Sequence, residues 1–192
     1  MMKIDKNSSG FTLVELLAAL VILALLTAIA VPNVLGILNK SRSSTYISDA
    51  EKMISTAEYQ FRKNSKIEIP RNDRDCIVMG LTFFDNGNFE DAPYGGSYDK
   101  DKSFVVIQRQ GNDFVYYTRL VEQLKNGSYR GVDLATVDQL AHENAYSDYV
   151  VNFDESKLFD ITSDDGNYID SDEFSDYGIA CSSIYVYAPK RY

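Results

Sequence analysis

Residues 10–33 read GFTLVELLAALVILALLTAIAVPN, and they pose a chemical problem: a glutamate, Glu15, sits just inside a run that carries no other charge from Phe11 to Leu38. From Leu16 to Val31 the one hydroxyl is that of Thr27. Wound as helix at about 1.5 Å per residue, Phe11 to Leu38 extends roughly 42 Å, enough to cross a bilayer with tilt. A carboxylate in hydrocarbon costs on the order of 2.5 to 3.5 kcal/mol for comparable charges at mid-bilayer, so Glu15 requires a compensating partner in some state of the protein. The alternative is an acid resting in the headgroups, where a helix N-terminus tolerates negative charge.

The flanks bear on how the run is used. Basic residues precede it, as in a secretory signal, but a small-residue cleavage site after the apolar region is not evident, and hydrophobicity continues through Pro32, Val34, Leu35, Ile37 and Leu38. It reads as a retained anchor. Lys3 and Lys6 lie before it and Lys40 and Arg42 after it, so loop charge leaves the orientation open.

The stretch SSGFTLVELLAALVILALLTAIAVP resembles the N-terminus of type IV prepilins. In that family a short basic leader is cut after a glycine by a membrane prepilin peptidase, and the new N-terminal residue is N-methylated. The resemblance places cleavage between Gly10 and Phe11, methylation on Phe11, and the family's assembly glutamate and proline on Glu15 and Pro32. It implies a leader at 1–10, a hydrophobic transmembrane and filament-core helix at 11–38, an amphipathic continuation at 39–64 and a globular domain at 65–192. It also supplies a partner for Glu15: the amine of Phe11 on a neighbouring subunit, which the carboxylate attracts within a bundle of packed helices. The resemblance covers about the first third of the chain and says nothing residue by residue beyond about Asn64.

After Leu38 the composition turns polar, yet Ile47, Ala50, Ile54, Ala57 and Phe61 recur at spacings of three and four, the mark of a helix with one buried stripe. A nearly continuous helix from about Thr12 to Asn64 is expected, with a kink or local melting between Pro32 and Gly36. Beyond Ser65, short β-prone runs alternate with turn residues. SFVVIQRQGNDFVYYTRLVEQL predicts a hairpin, with strands at about Phe104 to Gln108 and Phe114 to Val121 around Gly111 and Asn112. GVDLATVDQLAHENA predicts a helix of about ten residues with Asp133 as N-cap and Leu134, Val137, Leu140 and Ala141 on one face. SIYVYAP alternates Ile184 and Val186 against Tyr185 and Tyr187, a strand with one face on a core. The expected fold is α+β: a long N-terminal helix packed on an antiparallel sheet, as in type IV pilins.

Of the 192 residues 45% are hydrophobic, enough for one ordinary domain once the apolar run is set aside. The formal charge of −9 repels phosphate backbones, so no direct nucleic-acid partner is expected. Removing residues 1–10 deletes Lys3, Asp5 and Lys6 and takes the charge to −10. The two cysteines, Cys76 and Cys181, lack CxxC spacing and are too few for a thiolate zinc cage. In an exported domain they close a disulfide; the other reading is two buried thiols.

DITSDDGNYIDSDEF, residues 160–174, gathers carboxylates around a glycine. With Glu173 as final bidentate ligand, Asp170 and Asp164 fall at two further positions of a calcium loop, although Thr162 then occupies the first position and Asn167 the usual glycine turn. Calcium is the one cofactor considered and none is required; a solvated acidic loop is the other reading. His142, the single histidine, has neither a cysteine nor a serine motif beside it and reads as a surface residue. Fourteen tyrosines without tryptophan offer amphipathic contact surface but are more often ordinary sheet and loop residues.

These features point to a non-catalytic subunit of a type IV pilus filament supporting adhesion or motility. Its partners would be further copies of itself or other pilins, the prepilin peptidase, the pilus assembly machinery and, before assembly, the membrane. The expected location is the cytoplasmic membrane as precursor and the extracellular filament or cell surface when mature. Alternatives are a pseudopilin of a type II secretion or competence system, or a membrane-anchored surface binding domain.

Overall fold

The computed structural model describes residues 10–85, 87–89, 91–161, 169 and 171–188, with residue 171 described in its backbone only. Two compact units divide the chain, Met1–Lys40 and Ser41–Tyr192.

Helix α1, Leu13–Lys63, begins in the first unit and ends in the second. Its apolar half buries nothing: Leu13, Leu17, Leu20, Ile29 and Leu35 are all exposed. A helix that is greasy all round requires a hydrocarbon or protein partner on every side. The local melting expected between Pro32 and Gly36 does not occur, because α1 remains helical through both. Proline removes one donor from the ladder, and at this turn the Asn33 side-chain amide donates to the Ile29 carbonyl at 3.1 Å.

The domain half of α1 lays Tyr46, Ala50, Met53, Ile54, Ala57 and Phe61 on a sheet. The strands are β1 (Asp75–Gly80), β2 (Ser97–Tyr98), β3 (Phe104–Gln110), β4 (Asp113–Gln123), β5 (Tyr129–Thr136), β6 (Val150–Phe153) and β7 (Ser183–Tyr187). Their order is β6-β5-β4-β3-β1-β7, with β2 pairing the end of β4. Every pair is antiparallel except β1 with β7, so the sheet is mixed rather than wholly antiparallel. Short helices α2 (Leu81–Phe84), α3 (Val137–Leu140) and α4 (Ala145–Asp148) connect strands.

Period-two alternation splits the core into two layers. Ile77, Met79, Val105, Ile107, Leu120 and Val132 face α1. Cys76, Val78, Phe104 and Val106 face the other way, onto Ile161, Ile169, Phe174 and Ile179, and Leu134 joins them beyond a register shift between β4 and β5 that breaks the alternation from Val132. Strand β1 is buried along its whole length, as expected of a strand covered on both sides. Ile184 and Val186 pack on the second layer and Tyr187 on the first, in keeping with their alternation.

The predicted β3–β4 hairpin is present, turning at Gly111, whose φ of +64° is readily adopted by glycine. The helix expected from Asp133 is not. Asp133 and Leu134 lie within β5, and only Val137–Leu140 is helical, capped by Thr136 through a reciprocal bond pair with Gln139. The free edge of β4 needs partners for its N–H and C=O groups, and residues 129–136 meet that demand, overriding a helical pattern of only two turns.

Candidate functional site

At the head of the apolar segment, Gly10 and Phe11 are exposed, Phe11 at 85%. Thr12 and Glu15 form a reciprocal cap. The Thr12 N–H and hydroxyl donate to Glu15 Oε2 at 2.9 and 2.8 Å, and the Glu15 N–H donates to Thr12 Oγ1 at 3.3 Å. Two otherwise orphaned donors at the helix start are satisfied, and the carboxylate is held at the positive end of the helix dipole. Sequence reasoning weighed Glu15 but missed Thr12, although threonine followed three residues later by glutamate ahead of an apolar run is the sequence form of this cap. Deeper in, the Thr27 hydroxyl donates to the Leu23 carbonyl at 2.5 Å, hiding its polarity against its own helix.

The domain's chemistry concentrates in two buried ionic clusters. Glu122 on β4 is wholly buried and accepts from the Tyr46 hydroxyl, the Tyr94 N–H at 3.3 Å and the Gly96 N–H at 2.9 Å. Gly96 is needed here: a Cβ would lie 2.2 Å from the Gln123 carbonyl oxygen and 2.8 Å from Glu122 Oε1. Beside it the Tyr98 hydroxyl donates to Asp49 at 2.5 Å. Burial, then the adjoining carboxylates Glu122 and Asp49 respectively, push the Tyr46 and Tyr98 hydroxyls well above the usual phenol range.

On the opposite layer Arg119, also on β4, is 1% exposed. Its Nε donates to Asp133 at 2.8 Å and its Nη2 to the Tyr177 hydroxyl at 2.7 Å, while the guanidinium carbon lies 5.2 to 5.4 Å from the rings of Phe104, Phe159 and Tyr177. The Tyr177 hydroxyl also donates to Asp133 at 2.9 Å. Neither Arg119 nor Glu122 was singled out from the sequence. Arg119 lay in a predicted strand and Glu122 just past its end, and only the sheet shows that both point inward.

Cys76 and Cys181 are joined by a disulfide, with Cα atoms 5.6 Å apart. The bridge ties β1 to the segment entering β7, strands that also pair in parallel. Of the calcium-loop residues, Asp164 and Asp170 lie outside the described residues, and Glu173 is exposed on a 3-10 turn at Ser171–Tyr177. No cluster of three or more metal-ligating side chains occurs among the described residues. His142 is exposed.

Residues 5–31 match the model of the prokaryotic N-terminal methylation motif. The type IV wide pilus major component PilA4 of Thermus thermophilus is 36% identical over 79 residues, which is 40% of this chain. The matched stretch spans 56% of that relative's length. No solved structure matches.

An exposed apolar helical segment headed by this motif and continued into a sheet domain matches the architecture of type IV pilins. At its N-terminus the chain is similar to type IV prepilins, through the methylation motif and the stretch shared with PilA4.

Proposed function

We propose that the chain is a subunit of a type IV pilus filament, held in the cytoplasmic membrane as a precursor and assembled after cleavage between Gly10 and Phe11. The observation that carries this reading is the unburied apolar half of α1, headed by a capped carboxylate within the methylation motif. A segment this greasy is stable in lipid or against copies of itself, and a helical polymer of like subunits offers the second environment. Cleavage creates an ammonium on Phe11 and N-methylation leaves it cationic. The Glu15 carboxylate of a neighbouring subunit neutralises it, so two charges that are costly apart enter the filament core as a pair and fix the axial register. Pro32 preserves a turn with fewer internal hydrogen bonds, where the helix can extend on assembly. The partners under this reading are further pilin subunits, the prepilin peptidase and the assembly machinery.

The test is electron microscopy of cells with and without the protein, using antibody to the domain, together with the mass of the mature chain. Labelled fibres and a chain that has lost Met1 to Gly10 and gained one methyl are expected. An intact N-terminus on a protein that stays singly embedded overturns the proposal.

A further inference from the structure

One surface of the domain departs from its overall charge. Residues 41–192 carry 16 Lys and Arg against 26 Asp and Glu, a net of −10. Yet around Tyr94 and Gly95 three cations converge. The Arg42 guanidinium lies 4.6 Å from the centre of the Tyr94 ring and that of Arg130 5.1 Å from the same centre. The Lys125 ammonium lies 3.8 Å from where a Cβ would stand on Gly95. None of the ion pairs among the described residues involves Arg42, Lys125 or Arg130. The nearby acid Glu122 stands opposite Arg130 in the β4–β5 register but is wholly buried and already accepts three hydrogen bonds. Arg130 donates through Nη1 to Asn152 at 3.2 Å, and its Nε is buried without a partner.

Chain position bears on what this cluster can meet. Arg42 follows Leu38, the last residue of the apolar run, by four residues of helix, which is roughly 6 Å of rise and within the headgroup zone of a bilayer spanned by that run. An aromatic ring flanked by cations suits that zone, where one end of the group is apolar and the other wet.

We propose that Arg42, Lys125 and Arg130, gathered around Tyr94, form a collar that binds the phosphates of anionic phospholipid headgroups and holds the unassembled subunit at the membrane surface. The rest of the domain, being acidic, is repelled from the same surface, so the collar also sets which side of the domain faces it. This inference rests on reading the apolar half of α1 as a bilayer span, not on filament formation.

The experiment uses the full chain in detergent. Bound phosphatidylglycerol and phosphatidylcholine are counted by native mass spectrometry, and flotation with phosphatidylcholine vesicles is run alongside. Wild-type protein is expected to retain phosphatidylglycerol preferentially. Each cation removed lowers the preference roughly fivefold, so Arg42→Ala with Lys125→Ala, both exposed positions, lowers it roughly 25-fold without touching the core. Arg71→Ala with Arg74→Ala removes the same charge elsewhere and is expected to leave the preference intact. Equal retention of the two lipids by wild type, or the same loss from both double variants, overturns the collar; if flotation persists, the span still stands. Failure to float removes the span and the collar with it. Loss of contact between copies in phosphatidylcholine, with the lipid preference unchanged, assigns the surface to another subunit and overturns the proposal.

Discussion

The Tyr46 hydroxyl on α1 donates to the wholly buried carboxylate of Glu122 on β4, joining helix to sheet where the chain enters the domain. The same carboxylate holds the backbone of Tyr94 and Gly96, so one side chain organises three segments distant in sequence. Tyr46→Phe removes one charge-assisted bond and is expected to destabilise the domain by about 1.5 to 3 kcal/mol. Glu122→Ala strands three donors and is expected to cost more, roughly 3 to 5 kcal/mol. Urea midpoints of the two variants check the order, and a Glu122→Ala midpoint at or above that of Tyr46→Phe contradicts it.

Alkaline pH reports on the same cluster. Tyr46 and Tyr98 have folded-state pKa values raised above the unfolded value near 10, so the stability they contribute is fully present below about pH 10 and declines as pH rises beyond it. The melting-temperature gap between wild type and a Tyr46→Phe, Tyr98→Phe double variant should narrow above pH 10. A gap that stays constant to pH 11.5 argues against coupling of these protons to folding.

Acid pH acts through Asp85. Burial raises its pKa, but the Lys100 ammonium at 2.6 Å, with the N–H groups of Asn88 and Gly87, outweighs burial and leaves it below the usual carboxylate range. The folded value is depressed, so its contribution is present above about pH 4 and lost as pH falls through the folded value. Asp85→Asn is expected to cost about 1 kcal/mol at pH 7, with the difference from wild type shrinking below pH 4 in a melting series.

The disulfide staples the C-terminal strand. Reduction, or Cys76→Ser with Cys181→Ser, is expected to cost about 2 to 4 kcal/mol and to raise amide exchange first in β7. Uniformly raised exchange across the sheet would instead mean that β7 does not open separately.

Glu15→Ala is expected to leave membrane insertion intact while reducing filament yield at least tenfold, and Glu15→Asp to recover part of it. Fractionation and counting of sheared filaments separate the two steps. Normal filament yield from Glu15→Ala removes the charge pair from the mechanism.

The N-terminal third was legible in the sequence because its determinants are local. A run without charge, a glycine and aromatic before a spaced acid, and a stripe at Ile47, Ala50, Ile54, Ala57 and Phe61 keep their meaning whatever surrounds them. The observed limits of α1, Leu13 and Lys63, fall within a residue of those expected from the pattern. Asp133 shows where such reading stops. Its segment carries an N-cap signal and a helical face, but the exposed edge of β4 required a strand, and backbone hydrogen bonding prevailed over a short amphipathic pattern. The parallel seating of β7 beside β1 and the inward turn of Arg119 and Glu122 likewise depend on contacts across long sequence separations. Composition and periodicity thus determined the apolar rod and the buried stripe that follows it; the tertiary structure decided sheet order and which charges are buried, because both follow from pairing between segments that no local pattern encodes.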